Sequence, residues 1–123
     1  MKFLIVDDDA DVANYIAATL AAEAIDSEIA LDAEIAHKLF YVGDFDALVV
    51  DAILPGVSGI SFAKEIRAMK PEIPILFCTG ATDEFNKQLM WSLGMVCHKP
   101  LDASLPFILR RFIASSLPSS HDE

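Results

Sequence analysis

Short apolar runs along this chain alternate with stretches in which apolar residues recur every three or four positions. Lys2-Phe3-Leu4-Ile5-Val6 is closed by Asp7-Asp8-Asp9, the pattern of a buried strand. From Ala10 the period turns helical. Val12, Tyr15, Ile16, Thr19 and Leu20 fall on one face, and Ala10, Asn14, Ala17, Ala18 and Ala21 on the opposite one. A weakly alternating strand is expected over 25–31, with Asp26 and Glu28 on one side and Ile25, Ser27 and Ile29 on the other. Asp32 stands where it would cap a helix over 33–42 with Ile35, Ala36, Leu39 and Phe40 inward, and Gly43 ends it. The third strand is expected over 46–50. Ser58 should cap a helix over 59–69, with Ile60, Ala63, Ile66 and Arg67 in register. Pro71 and Pro74 break the chain before Ile75-Leu76-Phe77-Cys78, a strand that ends in Thr79-Gly80. A helix begins at Thr82 or Asp83 with Phe85, Leu89 and Leu93 inward, and Gly94 stops it. Residues 95–98 form the last strand. Asp102 is placed to cap the final helix, which carries Pro106, Phe107, Ile108, Arg111 and Phe112 and reaches Ser116. Residues 1–116 thus read as one domain and 117–123 as a flexible polar tail.

Strand and helix alternate five times. That order predicts an α/β fold with a parallel sheet covered on both faces. Right-handed crossovers make it doubly wound, with the five strands in the order 2-1-3-4-5.

The 123 residues suit a single domain, and a hydrophobic content of 54% builds its core readily. A net charge of −10 argues against non-specific nucleic-acid binding and against anionic membranes, which need clustered Lys and Arg. No apolar run approaches the length of a membrane span. Cys78 and Cys97 lie in apolar runs without CxxC spacing, as expected of reduced core residues in a cytoplasmic protein.

Four of the five strands end in a functional group: Asp7-Asp8, Asp51, Thr79 and Lys99. Each alone is an ordinary turn, cap or surface residue. In the strand order 2-1-3-4-5 they meet in one crevice at the carboxyl edge of the sheet. Three clustered carboxylates repel one another, and a hard divalent cation such as Mg2+ relieves this. Asp51 is then a carboxylate nucleophile able to form an aspartyl phosphate. Lys99 can follow a phosphoryl oxygen, and Thr79 can donate a hydrogen bond to another.

These residues carry a family resemblance. LIVDDDADV near the start, ALVVDAILPGVSG in the middle, PILFCTG and HKP follow one another at the right intervals. Over nearly its full length the chain resembles the receiver domain of two-component response regulators. The resemblance implies a (βα)5 flavodoxin-like fold. It implies that Asp51 accepts phosphate from a histidine kinase or a histidine phosphotransfer protein. It implies that Asp8, Asp51 and the backbone carbonyl of Ile53 ligate Mg2+, with Asp7 helping through water. Thr79 and Lys99 would contact phosphoryl oxygens, and the Lys99–Pro100 bond would often be cis. Kinase-side partners of the family dock on the first helix, which gives Asn14, Ala17, Ala18 and Ala21 a use. The expected output is protein binding by a single-domain regulator. The alternative is a pseudo-receiver that binds partners without phosphorylation.

The chain departs from the family pattern ahead of Lys99. Gly94-Met95-Val96-Cys97-His98 is short and lacks the aromatic that usually swings inward on activation. Trp91 falls on the outer side of the fourth helix and is expected to report the signal instead, so that its fluorescence responds to a phosphate mimic with Mg2+. Ile53 and Ala81, two past Asp51 and Thr79, cannot orient a hydrolytic water. Slow self-dephosphorylation is therefore expected.

Overall fold

In the first strand, residues facing one way feed one apolar layer and residues facing the other way feed a second. In the computed structural model, which describes residues 1–81 and 83–117, Phe3 and Ile5 of β1 (Lys2–Val6) point to one side and Leu4 and Val6 to the other. Both sides are buried, as in a central strand of a parallel sheet. β2 (Asp26–Ala30), β3 (Ala47–Val50), β4 (Ile75–Thr79) and β5 (Met95–His98) pair in parallel in the order β2-β1-β3-β4-β5. This is the doubly wound α/β fold that the alternation predicts, in the flavodoxin-like form that the resemblance implies.

Five helices cover the two faces. α1 (Ala10–Ala22) and α5 (Leu105–Ser116) pack over Phe3, Ile5, Ala47, Val49, Leu76 and Cys78. α2 (Ala33–Val42), α3 (Gly59–Met69) and α4 (Glu84–Leu93) pack over Leu4, Val6, Leu48, Val50, Ile75 and Phe77. Side-chain caps start four of the helices. Asp9 accepts from Asp11 and Val12, Asp32 from Ile35, Ser58 from Ile60 and Ser61, and Asp83 from Asn86. None of these helices is long and apolar enough to cross a membrane.

Several expected helix faces turn by about one residue. In α1 the buried stripe is Ala13, Ile16, Thr19 and Leu20. Val12 is half-buried, and Tyr15 is exposed because its hydroxyl reaches out to donate to the Asp102 carbonyl at 2.7 Å. Ala17, expected outside, is half-buried against the α1/α5 layer. In α2 Ala33 and Ala36 face the core, and Ile35 is exposed. In α4 Met90 is the buried residue, with Leu89 and Leu93 beside it, and Phe85 is exposed in the first turn. In α5 Leu105, Leu109 and Phe112 are buried and Phe107 is exposed. In α4 and α5 the exposed phenylalanine stands in the first turn, and later apolar residues, Met90 in α4 and Leu109 and Phe112 in α5, pack into the layer.

Asp102 does not cap α5. Its carboxylate accepts from the Ser104 amide at 2.8 Å and from the Ser104 hydroxyl at 2.6 Å, closing the turn one step before the helix. Ser104 occupies the cap position in a helical conformation and makes no side-chain cap bond. The strands over 25–31 and 46–50 are trimmed to Asp26–Ala30 and Ala47–Val50. Thr82 as a helix start, and the polar tail from 118 onward, lie outside the described residues.

Candidate phosphoacceptor site

The carboxyl ends of β1, β3, β4 and β5 converge. Main-chain bonds fix the register there: the Asp7 amide donates to Ala30 at 3.1 Å, the Asp51 amide to Val6 at 2.9 Å and the Lys99 amide to Thr79 at 2.9 Å. Gly59 lets α3 start against the same edge. A Cβ on Gly59 would lie 1.8 Å from the Asp51 carbonyl oxygen, so only glycine fits. The Gly59 amide donates to Ala52 at 3.0 Å and ties the loop after β3 back on itself.

Asp51 is 6% exposed, and Asp7 is 1% exposed, so both carboxylates leave bulk water while remaining at the rim. Asp8 is exposed. Carboxylate oxygens of Asp7, Asp8 and Asp51 all lie within 4.8 Å of one another. The Lys99 ammonium enters this cluster, 2.8 Å from Asp51 Oδ2 and 3.0 Å from Asp7 Oδ2. Asp51 Oδ1 accepts from the Ile53 amide at 3.0 Å, and Asp7 Oδ1 from the Asp9 amide at 2.9 Å. Asp7 Oδ2 is different. It feels the Lys99 charge, yet no donor among the described residues is aligned to hydrogen-bond it.

Burial pushes the Asp7 carboxyl above its ordinary range, against the pull of the Asp9 amide and of Lys99. Burial also works against the charge on Lys99, but its close contacts with the Asp51 and Asp7 carboxylates outweigh it and raise the lysine. One cation is thus shared between two carboxylates, and a third remains at the mouth. Thr79 is fully buried at the end of β4, and its Oγ1 accepts from the Ala81 amide at 3.2 Å. An oxygen that accepts still carries its proton, and no hydrogen bond among the described residues uses the Thr79 hydroxyl as donor. The Lys99–Pro100 bond is cis, as the resemblance implies.

The structure brings Asp7, Asp8, Asp51, Thr79 and Lys99 to one edge. Ile53 belongs there through its amide, and its side chain is 59% exposed beside the rim. The remaining expected residues lie elsewhere. Asn14, Ala18 and Ala21 are exposed on α1 with Ala17 half-buried beside them, and Trp91 is 58% exposed on α4. Tyr15 is the residue that sequence reasoning missed. Its bond to the Asp102 carbonyl joins α1 to the loop after Lys99, across 87 positions of chain, and no local pattern signals it.

Residues 3–104 match the family described as the response regulator receiver domain. The chain belongs to this family. The alkaline phosphatase synthesis transcriptional regulatory protein PhoP of Bacillus subtilis is 34% identical over 93 residues, which are 76% of this chain and 39% of that protein. The chain therefore spans about two fifths of the length of that curated relative. Chemotaxis protein CheY4 of Vibrio cholerae superposes with a TM-score of 0.80 at 27% identity, covering 94% of this chain and 98% of CheY4. Response regulator TrrA of Thermotoga maritima, solved in complex with Mg2+-BeF, gives a TM-score of 0.79 at 25% identity, covering 90% and 97%. This receiver domain is a signalling domain of the two-component type.

Proposed function

We propose that the domain accepts a phosphoryl group on Asp51 from the phosphohistidine of a histidine kinase or histidine phosphotransfer protein, and signals by protein–protein contact. The contact between Asp51 and Lys99 at 2.8 Å, beside Asp7 and with buried Thr79 ending the adjacent strand β4, carries this proposal. An Asp51 carboxylate oxygen attacks phosphorus, the N–P bond breaks, and the imidazole leaves with the electron pair. Lys99 already lies against Asp51 Oδ2, so its ammonium stays beside the oxygens that take up charge. The Thr79 hydroxyl, whose oxygen accepts from Ala81, donates its proton in a hydrogen bond to a phosphoryl oxygen. Burial of Asp51 keeps water from competing as nucleophile.

The donor set fits Mg2+. Asp7, Asp8 and Asp51 offer hard oxygens within 4.8 Å of one another, and Asp7 Oδ2 lacks an aligned donor among the described residues. These three residues and the Ile53 carbonyl would hold the ion. When bound it neutralises charge shared between carboxylates and phosphoryl oxygens. The docking surfaces proposed are the small-residue face of α1 for the phosphodonor and the α4 surface around Trp91 for a downstream protein. The domain catalyses only its own phosphotransfer and the slow loss of the group, and it works in the cytoplasm.

The test is a mass measurement after incubation with Mg2+ and a small phosphodonor. One phosphoryl adduct is expected on the native chain and none on Asp51→Ala. A native chain that takes no adduct from small donors or from a cognate kinase is a pseudo-receiver instead.

A further inference from the structure

Cys78 and Cys97 are the two cysteines of the chain, both free and buried, and phosphotransfer uses neither. They are register partners on the parallel strands β4 and β5. Partners in register project to the same face, and both side chains lie in the apolar layer under α1 and α5. Neighbouring strands run about 4.8 Å apart. That spacing falls within the roughly 4.4 to 6.8 Å between Cα atoms that a disulfide spans. The pair is also chemically uneven. The adjacent Cys78 thiol holds Cys97 below the ordinary thiol range, while Cys97 and burial push Cys78 well above it. Cys97 borders a cavity of about 70 Å3 lined also by His98, Pro100, Leu101, Asp102 and Ser104. A water molecule occupies about 30 Å3 of liquid, so the cavity admits a peroxide.

We propose that Cys78 and Cys97 are a dithiol that a hydroperoxide converts to an intramolecular disulfide, and that this bridge slows phosphoryl acceptance at Asp51. The Cys97 sulfur, as thiolate, attacks one peroxide oxygen. The O–O bond breaks, and the leaving hydroxide takes up the thiol proton as water. Cys97 is now a sulfenic acid. The Cys78 sulfur attacks it, the S–S bond forms, and the hydroxyl leaves with the Cys78 proton as a second water. Two thiols and one hydrogen peroxide give one disulfide and two waters, and the sulfurs lose the two electrons that the peroxide gains.

The link to the site is positional. Cys78 directly precedes Thr79, and Cys97 stands two residues before Lys99. A disulfide holds its Cβ atoms about 3.8 Å apart, closer than paired strands hold theirs, so the bridge draws β5 toward β4 just ahead of both residues. Formation of the bridge depends on the cysteines alone. Its effect on phosphorylation rests on Asp51 being the acceptor.

Reduced protein is treated with hydrogen peroxide and followed by intact mass, thiol titration and peptide mapping. Its rate of phosphorylation by acetyl phosphate with Mg2+ is measured before treatment, after it, and after dithiothreitol. A monomer with both thiols lost and a mapped Cys78–Cys97 bridge is expected. Its phosphorylation rate should fall about tenfold, on the scale at which a slightly misplaced group slows a reaction, and recover with dithiothreitol. Cys97→Ser and Cys78→Ala should each keep their rate through the same treatment. Thiols that remain titratable, a disulfide-linked dimer, or an equal loss of rate in both variants overturns the proposal. A reduced native chain that takes no phosphoryl group refutes the Asp51 assignment and with it the coupling, while the mapped bridge decides the dithiol separately.

Discussion

Asp7 bears the cost of the site. It is buried beside another carboxylate, and one of its oxygens has no aligned donor among the described residues. Burial raises its pKa, so the folded apo chain holds the proton more tightly than the unfolded one does. For an acid shifted this way, the contribution to stability falls as pH rises from the unfolded value of 3.8 toward the folded one, and stays low above it. Asp7→Asn keeps an oxygen for the Asp9 amide and removes the ionisation. The variant should gain about 1 kcal/mol in urea unfolding at pH 7, without metal. The gain should vanish below the unfolded carboxyl range, and Mg2+ should no longer stabilise the variant as it does the native chain. A variant no more stable than native at neutral pH would show that Lys99 fully offsets the burial. At the two neighbouring positions, Ile53 and Ala81 offer no side-chain group to aim a water at phosphorus. The phosphoryl half-life on Asp51 without a phosphatase should be minutes or longer, and Ile53→Asn should shorten it. A native half-life of seconds would remove this explanation.

At the scale of elements, α3 depends on one atom being absent. A Cβ at Gly59 would meet the Asp51 carbonyl at 1.8 Å, and that neighbour is backbone of the phosphoacceptor strand end. Gly59→Ala should cost about 3 kcal/mol in chemical unfolding, the upper range for forced overpacking. It should also lower the phosphorylation rate, since relief requires the loop after β3 to move. A fully stable variant would mean that α3 shifts freely. The same elements show what a sequence discloses. Asp32, Ser58 and Asp83 mark the starts of helices because capping is local chemistry, and all three do so, as does Asp9, which the apolar pattern alone does not single out. Strands were legible because a parallel sheet buries both faces and leaves unbroken apolar runs. The rotation of each helix was less so. Phe85, Phe107 and Ile35 fit a helical apolar pattern, yet the sheet below is reached by Met90, Leu109 and Ala36. Which apolar residue lies inward is set by the layer it meets, and helical periodicity leaves a residue or so of freedom. Asp102 failed for a related reason: its carboxylate found Ser104 first and closed a turn. The site residues were legible because each ends a strand, whereas the Tyr15–Asp102 bond depends on two distant segments meeting.

Across the whole molecule, charge opposes the fold at one edge. The chain carries a net charge of −10, and three of its acids converge where Lys99 is the cation observed in contact with two of them, Asp7 and Asp51. Lys99 is raised by those contacts, so its support is complete below the unfolded lysine value of 10.5 and is lost as pH climbs through the folded one. At neutral pH it is therefore fully engaged, and further relief must come from outside the chain. A cation that binds the folded cluster stabilises the native state by mass action, by about 2.7 kcal/mol at a hundred times its Kd. Mg2+ should raise Tm progressively with concentration. The effect should be much larger than that of sodium chloride at matched ionic strength, which screens all the acids alike. Asp51→Ala and Asp8→Ala should each lose most of the Mg2+-specific part and retain the salt-dependent part. Equal shifts from Mg2+ and matched sodium chloride would mean that the cluster is only a charged surface. Such an outcome would withdraw the metal from the site while leaving the contact between Asp51 and Lys99 intact.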